Sequence, residues 1–450
     1  MTANLQAYAT RAVPRYTSYP TAPHFSDQVD AATYGNWLQA LDPAHPVSVY
    51  LHVPFCRQIC WYCGCNMKLA VKDEPINQYA QTLGREVELV AGHLPGRFRI
   101  SHLHWGGGTP TALSPEALAR AMEGVAEHFD FAPGAELAIE SDPRTLSEEM
   151  IWTIGGLGFT RASFGVQEFD PTVQLAINRI QPPDMVRASV DGLREAGITG
   201  INFDLIYGLP HQSVETLCRT IELCAEMRPD RVALFGYAHV PWMAKKQRMI
   251  DEAVLPGPAE RIAQSKAASK ALVDAGYVAI GLDHFALPHD PLAIAAGNGS
   301  LRRNFQGYTT DTAQTMLGLG ATSIGRTPDG FVQNISETRA WSRAVEAYEL
   351  PVSRGIALSQ EDKLRGWVIE ALMCRGQVDL DEAGARYGTS PDWHADLDAE
   401  LAQMEADGVI IRHGTQQVEM AKGAQQLVRT VAAVFDTYLK AKKTGHSVAV

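Results

Sequence analysis

Residues 47–65 read Val47-Ser-Val-Tyr-Leu-His-Val-Pro-Phe-Cys56-Arg-Gln-Ile-Cys60-Trp-Tyr-Cys63-Gly-Cys65. The first seven residues alternate around Val and Leu, the pattern of a strand. Pro54-Phe55 ends the run, and four of the chain's seven cysteines follow within ten residues. Cys218, Cys224 and Cys374 are scattered. So low and odd a count excludes a disulfide scaffold. A loop directly after a strand lies at the catalytic rim if the sheet is parallel. Three thiolates spaced x3 and x2 on one tight loop can hold three irons of a cubane cluster, leaving the fourth open to a non-protein ligand. A zinc knob or a set of buried free thiols is the simpler alternative. Structural zinc usually draws two more ligands from a distance. No later Cys pair or Cys-His pair has that spacing.

Beyond this stretch, short apolar runs alternate with amphipathic ones. Strands are expected at Val47–Val53, Ile100–Trp105, Glu136–Glu140, Arg161–Val166, Gly200–Ile206 and Arg231–Tyr237. Between them, Ile76, Tyr79, Leu83, Val87, Val90 and Leu94 recur at helical spacing. Ser114-Pro115-Glu116 is an N-cap with proline at the first helical position. Another helix starts near Asp184 and stops at Gly197. Such alternation means βα units and a parallel sheet, and right-handed crossovers put every strand's C-terminal end on one rim.

From about Pro351 the alternation stops. Ser359 to Asp362 reads as a capping box, Asp392–Asp407 as a helix, and residues 409–412 and 416–420 as a hairpin about His413-Gly414. A last helix is expected over about Ala424–Leu439. The expected fold class is α/β: a partial (β/α)6-type barrel with an N-terminal arm over 1–46, the barrel and an extension over 47–350, and a smaller, mainly helical, winged-helix-like domain over 351–450.

Composition narrows the function. Asp plus Glu number 51 against 39 Lys plus Arg, a net charge of −12, which speaks against a nucleic-acid backbone as partner. The winged-helix-like segment carries 6 Lys/Arg against 13 Asp/Glu between Ser359 and Lys422, so it reads as a lid or packing domain. No uncharged apolar run is long enough to span a bilayer. Met1–Arg15 has no charged segment ahead of an apolar one, so no signal peptide and no membrane partner are expected. A cytoplasmic protein is expected.

The spacing C-x3-C-x2-C, with an aromatic residue before the third cysteine, resembles the signature of the radical S-adenosylmethionine enzymes. Trp105-Gly106-Gly107-Gly108-Thr109-Pro110 resembles that superfamily's glycine motif. Glycines there let backbone groups approach a ligand closely. Within the superfamily the chain resembles the oxygen-independent coproporphyrinogen III oxidases over nearly its whole length. The resemblance rests on Val13-Pro-Arg-Tyr-Thr-Ser-Tyr-Pro-Thr21, Cys63-Gly-Cys65-Asn66, Asp204-Leu-Ile-Tyr-Gly-Leu-Pro210 and Tyr237-Ala-His239. It also rests on Gly281-Leu-Asp-His-Phe285, Arg303-Asn-Phe-Gln-Gly-Tyr-Thr309 and Phe435-Asp-Thr-Tyr-Leu439. A sister family of heme-chaperone-like proteins shares the barrel motifs and usually lacks the arm and the late segments.

The resemblance implies a radical SAM barrel carrying a [4Fe-4S] cluster on Cys56, Cys60 and Cys63, with Cys65 a non-ligating family cysteine of open role. It implies two molecules of S-adenosyl-L-methionine. The matching positions are Tyr50, Tyr62, Gly107, Gly108, Thr109, Glu140, Gln167, Arg179, Asp204, Ala238, Gln306 and Ile324. Tyr62 stands where many members have phenylalanine, and its hydroxyl needs a partner. Glu140 suits ribose hydroxyls, and the Arg179 fork suits a ligand carboxylate. His52, His102 and His104 read as core or supporting histidines, and Gly318–Gly325 as a glycine-rich turn without a dinucleotide fingerprint.

The activity so implied is oxidative decarboxylation of two propionates of coproporphyrinogen III, giving the vinyl groups of protoporphyrinogen IX. A 5′-deoxyadenosyl radical would take a hydrogen from the propionate β-carbon, and loss of CO2 and an electron would leave the vinyl group. A low-potential donor such as a flavodoxin or ferredoxin is implied, and a monomer is expected. A tetracarboxylate substrate in an acidic protein needs local cations, for which Arg302, Arg303 and Arg15 are the expected contacts. A radical enzyme with another substrate, a heme-trafficking protein on the same barrel and a zinc-stabilised module are the rival readings.

Overall fold

The computed structural model describes residues 7–441. The outermost ends of the arm and of the C-terminal segment, including the start of Met1–Arg15, lie outside the described residues. The chain divides into two compact units.

The larger unit covers Ser26–Tyr277 and Ala313–Gly355. Its strands are β1 Val47–Val53, β2 Arg99–Gly107, β3 Asp130–Ser141, β4 Arg161–Gln167, β5 Gly200–Tyr207 and β6 Arg231–Gly236. These run parallel in the order β1 to β6. A further strand, β7 Met316–Leu319, adds in parallel on the open side of β1. From there the sheet turns antiparallel through β8 Ile324–Thr327 and β9 Gly330–Asn334. The six expected strands are present, and several run longer than the apolar pattern. Helices Glu74–Gly92, Pro115–His128, Glu148–Gly156, Pro183–Glu195 and Val214–Met227 lie between them in sequence. Ser114 caps its helix by accepting from the Ala117 amide.

Alternation decides what each face does. Val47, Val49, Leu51 and Val53 of β1 are at most 1% exposed, as are Phe164 and Val166 of β4 and Phe203 and Leu205 of β5. The intervening residues Tyr50, His52, His104, Glu140 and Asp204 alternate with them and take the other face. Near the strands' N-terminal ends, Glu136 accepts from Arg161 at 3.1 Å and pairs with Arg231 at 3.4 Å. That end of the sheet is thus tied by an ionic cluster.

One buried carboxylate holds the turn after β7 to the helix Glu74–Gly92. Glu86, 1% exposed, accepts from the Gly320 amide at 2.6 Å, Asn334 Nδ2 at 2.6 Å and Trp341 Nε1 at 3.1 Å. The glycine-rich turn is therefore a structural anchor. Glu86→Leu would bury three donors without an acceptor, each costing roughly 1–3 kcal/mol. We expect a loss of at least about 3 kcal/mol in denaturant unfolding, with Glu86→Gln recovering part of it through its one remaining oxygen.

The smaller unit takes residues through Phe25, Val278–Thr312 and residues from Ile356. Its helix Gln360–Arg375 opens with the expected capping box of Ser359 and Asp362. Strand Gln377–Asp379, helices Leu380–Tyr387 and Asp398–Ala406, and strands Ile410–His413 and Gln417–Met420 follow. The antiparallel order, 377–379 beside 417–420 beside 410–413, is the winged-helix arrangement.

Two helices differ from expectation. The one expected from Asp392 begins as a short 3-10 turn at Ala395, because Trp393 is held outside it by donating to the Leu380 carbonyl at 3.1 Å. The last one is broken at Asp436, which is extended. Its carboxylate accepts from the Tyr438 and Leu439 amides and from the Tyr16 hydroxyl. Among the described residues no helix is long and apolar enough to cross a membrane.

Candidate active site

The cysteine loop leaves β1 and is closed at its base. Phe55–Cys56 pairs in parallel with Lys68–Leu69, with Lys68 N donating to Pro54 O at 2.6 Å and Ala70 N to Cys56 O at 3.0 Å. Neighbouring loops then clamp it. Asn178 Nδ2 donates to Ile59 O at 2.7 Å, and Trp61 N to Ile177 O at 2.9 Å. Gln247 Nε2 bridges Tyr62 O at 2.7 Å and Ala238 O at 3.1 Å, and Lys246 Nζ reaches Cys65 O at 3.1 Å. Trp61 and Tyr62 pack against Val173, Ile177, Leu209 and Tyr237.

The sulfurs are surrounded by donors. Thr109 Oγ1 donates to Cys56 Sγ at 3.4 Å. Arg144 Nη2 and Arg179 Nη1 donate to Cys60 Sγ at 3.2 and 3.3 Å. The Cys65 amide donates to Cys63 Sγ at 3.4 Å. Hydrogen bonding from Cys65 brings the Cys63 thiol down to about 6, while burial pushes Cys56 up to about 11. Asp142 lies between the two arginines, 2.6 Å from Arg144 and 3.4 Å from Arg179. All seven cysteines are free thiols. Among the described residues no three metal-ligating side chains converge as they would on one ion. Three thiolates that each bind a different iron have no need to converge. The donor set, three thiols within eight residues facing two arginines, fits an anionic iron–sulfur cluster.

The adjoining strand ends form the rest of the rim. Gly107 stands at φ +115°, and a Cβ there would lie 2.4 Å from the His52 ring. A Cβ on Gly108 would lie 2.7 Å from the Phe55 carbonyl oxygen. Glu140 accepts from the Gly107 amide at 3.0 Å and bonds His104 Nε2 at 3.2 Å. Burial works to raise the Glu140 carboxyl, but His104 and the Gly107 amide outweigh it and hold it low. Tyr50 stacks on His104 and bonds His52 Nδ1 at 2.9 Å. Burial drops His52 to about 4, so its ring is neutral. Tyr50 stands in register with Gly318 of β7, where a Cβ would meet the Ile324 backbone at 2.6 Å.

Two buried atoms here lack partners: His52 Nε2 and Gln167 Oε1. Gln167 sits at φ +65° where the β4–β5 register shifts. Unsatisfied buried acceptors and donors beside closely approached glycine backbone fit a polar ligand such as S-adenosylmethionine.

The structure thus brings Tyr50, Gly107, Gly108, Glu140 and the cysteine loop together on one rim, with Gln167, Arg179, Asp204, Ala238 and Ile324 in the same unit. Tyr62 packs against the Val173 and Ile177 cluster, and among the described residues no hydrogen bond is found for its hydroxyl. The Arg179 fork is engaged, with Nε on Gly165 O at 2.9 Å and Nη1 on Cys60. Gln306, Arg15, Arg302 and Arg303 belong to the smaller unit, Gln306 exposed in the turn of the Arg302–Asn304/Gly307–Thr309 hairpin. Arg302 is paired with Glu370 at 2.8 Å. Sequence reasoning missed Asp142 and Arg144, although Asp142-Pro143-Arg144 directly follows β3, as the other rim segments follow their strands.

Comparison with known proteins follows this geometry. The radical SAM superfamily profile matches residues 50–224. The oxygen-independent coproporphyrinogen III oxidase of Bradyrhizobium diazoefficiens is 47% identical over 444 residues, covering 99% of this chain and 98% of the relative. The protein of the same name from Cereibacter sphaeroides is 45% identical over 427 residues, covering 95% and 94%. The solved coproporphyrinogen III oxidase of Escherichia coli, described as a radical SAM enzyme, has a TM-score of 0.90 at 35% identity and covers 95% of this chain and 100% of that one.

Proposed function

From the chain's membership of the oxygen-independent coproporphyrinogen III oxidase family of radical SAM enzymes, we infer how its own residues serve that reaction. The activity is oxidative decarboxylation of coproporphyrinogen III propionates to vinyl groups. The observation that carries this reading is the cysteine loop with two arginine donors on Cys60, set beside the Gly107–Glu140 strand ends. The cluster and S-adenosylmethionine, when bound, supply a carbon radical able to remove a hydrogen from an unactivated carbon.

Cys56, Cys60 and Cys63 hold the cluster. Thr109, Arg144 and Arg179 donate to its thiolates, which offsets their charge and raises the potential at which an electron can enter. The Gly107 and Gly108 backbone and Thr109 receive the amino-acid end of S-adenosylmethionine. Glu140, held ionised and oriented by His104, retains lone pairs for ribose hydroxyls. Gln167, Asp204, Ala238, Tyr50, Tyr62 and Ile324 line the remainder, and Gln306 serves a second S-adenosylmethionine. Electrons come from a low-potential carrier such as a flavodoxin or ferredoxin. The protein acts as a monomer, in the cytoplasm, the compartment that suits seven free thiols and an oxygen-sensitive cofactor.

The direct test is anaerobic incubation of reconstituted protein with coproporphyrinogen III, reductant and S-adenosylmethionine. Deoxyadenosine and a divinyl product are expected. Tight heme binding without turnover would replace this reading with the trafficking one.

Asp204 offers a second test. Burial, and then the Glu140 charge, push its carboxyl up to about 7. The ionised form favours a cationic ligand, so S-adenosylmethionine affinity should rise on the order of tenfold between about pH 6 and about pH 8. Asp204→Asn should flatten that rise in an anaerobic binding titration.

A further inference from the structure

In the smaller unit, four successive backbone carbonyls of the N-terminal arm are held by two guanidinium groups. Arg429 donates from Nη2 to Val13 O at 2.6 Å and from Nε to Pro14 O at 3.0 Å. Arg303 donates from Nη2 to Arg15 O at 3.3 Å and from Nε to Tyr16 O at 3.2 Å. The arm bends where it is held. Tyr16 is left-handed, with φ +48°, and its hydroxyl donates to Asp436 at 3.0 Å. The two arginines lie 126 residues apart in sequence, yet they grip adjacent peptide groups, and the exposed Arg15 is carried between them.

Carbonyls satisfy N–H donors but do not cancel charge. Asp283 shares this neighbourhood with Asp436, the carboxylate on the Tyr16 hydroxyl. Asp283 bonds His284 at 2.7 Å and, after that bond, is held low by Arg303 and Arg15. Burial, then the neighbouring Arg15, pushes Arg429 down to about 10, the sign of a cation crowded by cations. Arg303 is 8% exposed, lies 4.4 Å over the Tyr308 ring, and its Nη1 is buried without a hydrogen-bond partner. Arg303 therefore keeps one buried donor unmatched beside the Arg15 and Arg429 cations, inside a chain whose net charge is −12. A buried guanidinium donor without a partner is costly unless an acceptor, best an anion, completes it. Arg302 is different, because Glu370 already neutralises it at 2.8 Å.

We propose that Arg15, Arg303 and Arg429 form a carboxylate-binding site for propionate groups of the porphyrinogen, with the unpaired Arg303 Nη1 as one donor. The N-terminal arm is then a working part of substrate recognition. Arg429 replaces Arg302 in the set expected from sequence. This rests on the substrate reading above. A guanidinium fork suits a carboxylate better than an ammonium group does.

The test uses reconstituted holoenzyme and two stable probes, coproporphyrin III and its tetramethyl ester, with affinity read by fluorescence quenching. Wild type should prefer the tetracarboxylate. Arg15→Ala, exposed and safe for folding, should weaken the tetracarboxylate by about tenfold and leave the ester unchanged. Arg303→Lys keeps the charge but loses the fork, and should raise KM more than it lowers kcat. An unchanged circular dichroism spectrum and thermal unfolding curve, beside the cluster absorption, report that each variant is folded. Equal tetracarboxylate binding by wild type and both variants would overturn the arginine site alone. Failure of wild type to bind either probe would overturn the substrate reading, and this site with it.

Discussion

The Cys60→Ser protein, reconstituted anaerobically with iron and sulfide, is expected to show no reducible cubane spectrum and no deoxyadenosine formation. Cys60 is the buried member of the loop, and two guanidinium groups donate to its sulfur. A serine hydroxyl is a poor ligand for soft iron, and its loss leaves two thiolates for the cluster. The arginines would then face each other and Asp142 without the anion that completes the set. Arg144→Met separates the two contributions. It keeps all three thiolates and removes one N–H donor, so cluster retention or turnover should fall by about 10–100-fold rather than vanish. Iron content, absorption on reduction and deoxyadenosine yield measure all of this. A Cys60→Ser protein with a normal cluster spectrum would remove the loop from the chemistry.

Much of this site was legible because its signals are local. Cysteine spacing within one loop, glycines at a strand end, and apolar alternation along β1 or β4 each report on a few neighbouring residues. The expected C-terminal strand ends fall close to those observed because the alternation stops where the rim begins, whereas Asp130–Ser141 starts well before its expected Glu136. What escaped is long-range pairing. Nothing near Arg302 announces Glu370, which neutralises it from a helix 68 residues on. Nothing near Arg429 announces that it binds the carbonyls of Val13 and Pro14. The break at Asp436 has the same origin. Local helical periodicity runs through it, but its carboxylate is drawn to Tyr16 at the other end of the chain. The strand Gln377–Asp379 was missed because three residues carry no period, and it exists through pairing with Gln417–Glu419.

Alanine at Gly107 and alanine at Gly108 should fail in different ways. Gly107 stands at φ +115°, a region where a side chain costs on the order of 1–3 kcal/mol. The new Cβ would strike the His52 ring at 2.4 Å. His52 bonds Tyr50, and Gly107 bonds Glu140, so the disturbance spreads along the rim and away from the sulfurs. Gly107→Ala should therefore keep its cluster and lose about 10–100-fold in S-adenosylmethionine affinity, since each tenfold corresponds to about 1.4 kcal/mol. At Gly108 the obstacle is backbone. The Cβ would lie 2.7 Å from the Phe55 carbonyl oxygen, and a carbonyl cannot rotate away as a ring can. That same carbonyl accepts from the Thr109 amide at 2.7 Å, and the next residue is Cys56. Relief of the clash must move Cys56, the first thiol of the loop and a proposed cluster ligand, or the Thr109 hydroxyl that donates to it. Gly108→Ala should thus lose iron as well as S-adenosylmethionine binding. Iron and sulfide content measured beside ligand affinity separates the two variants. Equal cluster content in both would mean that Gly108 does not couple the glycine turn to the cysteine loop.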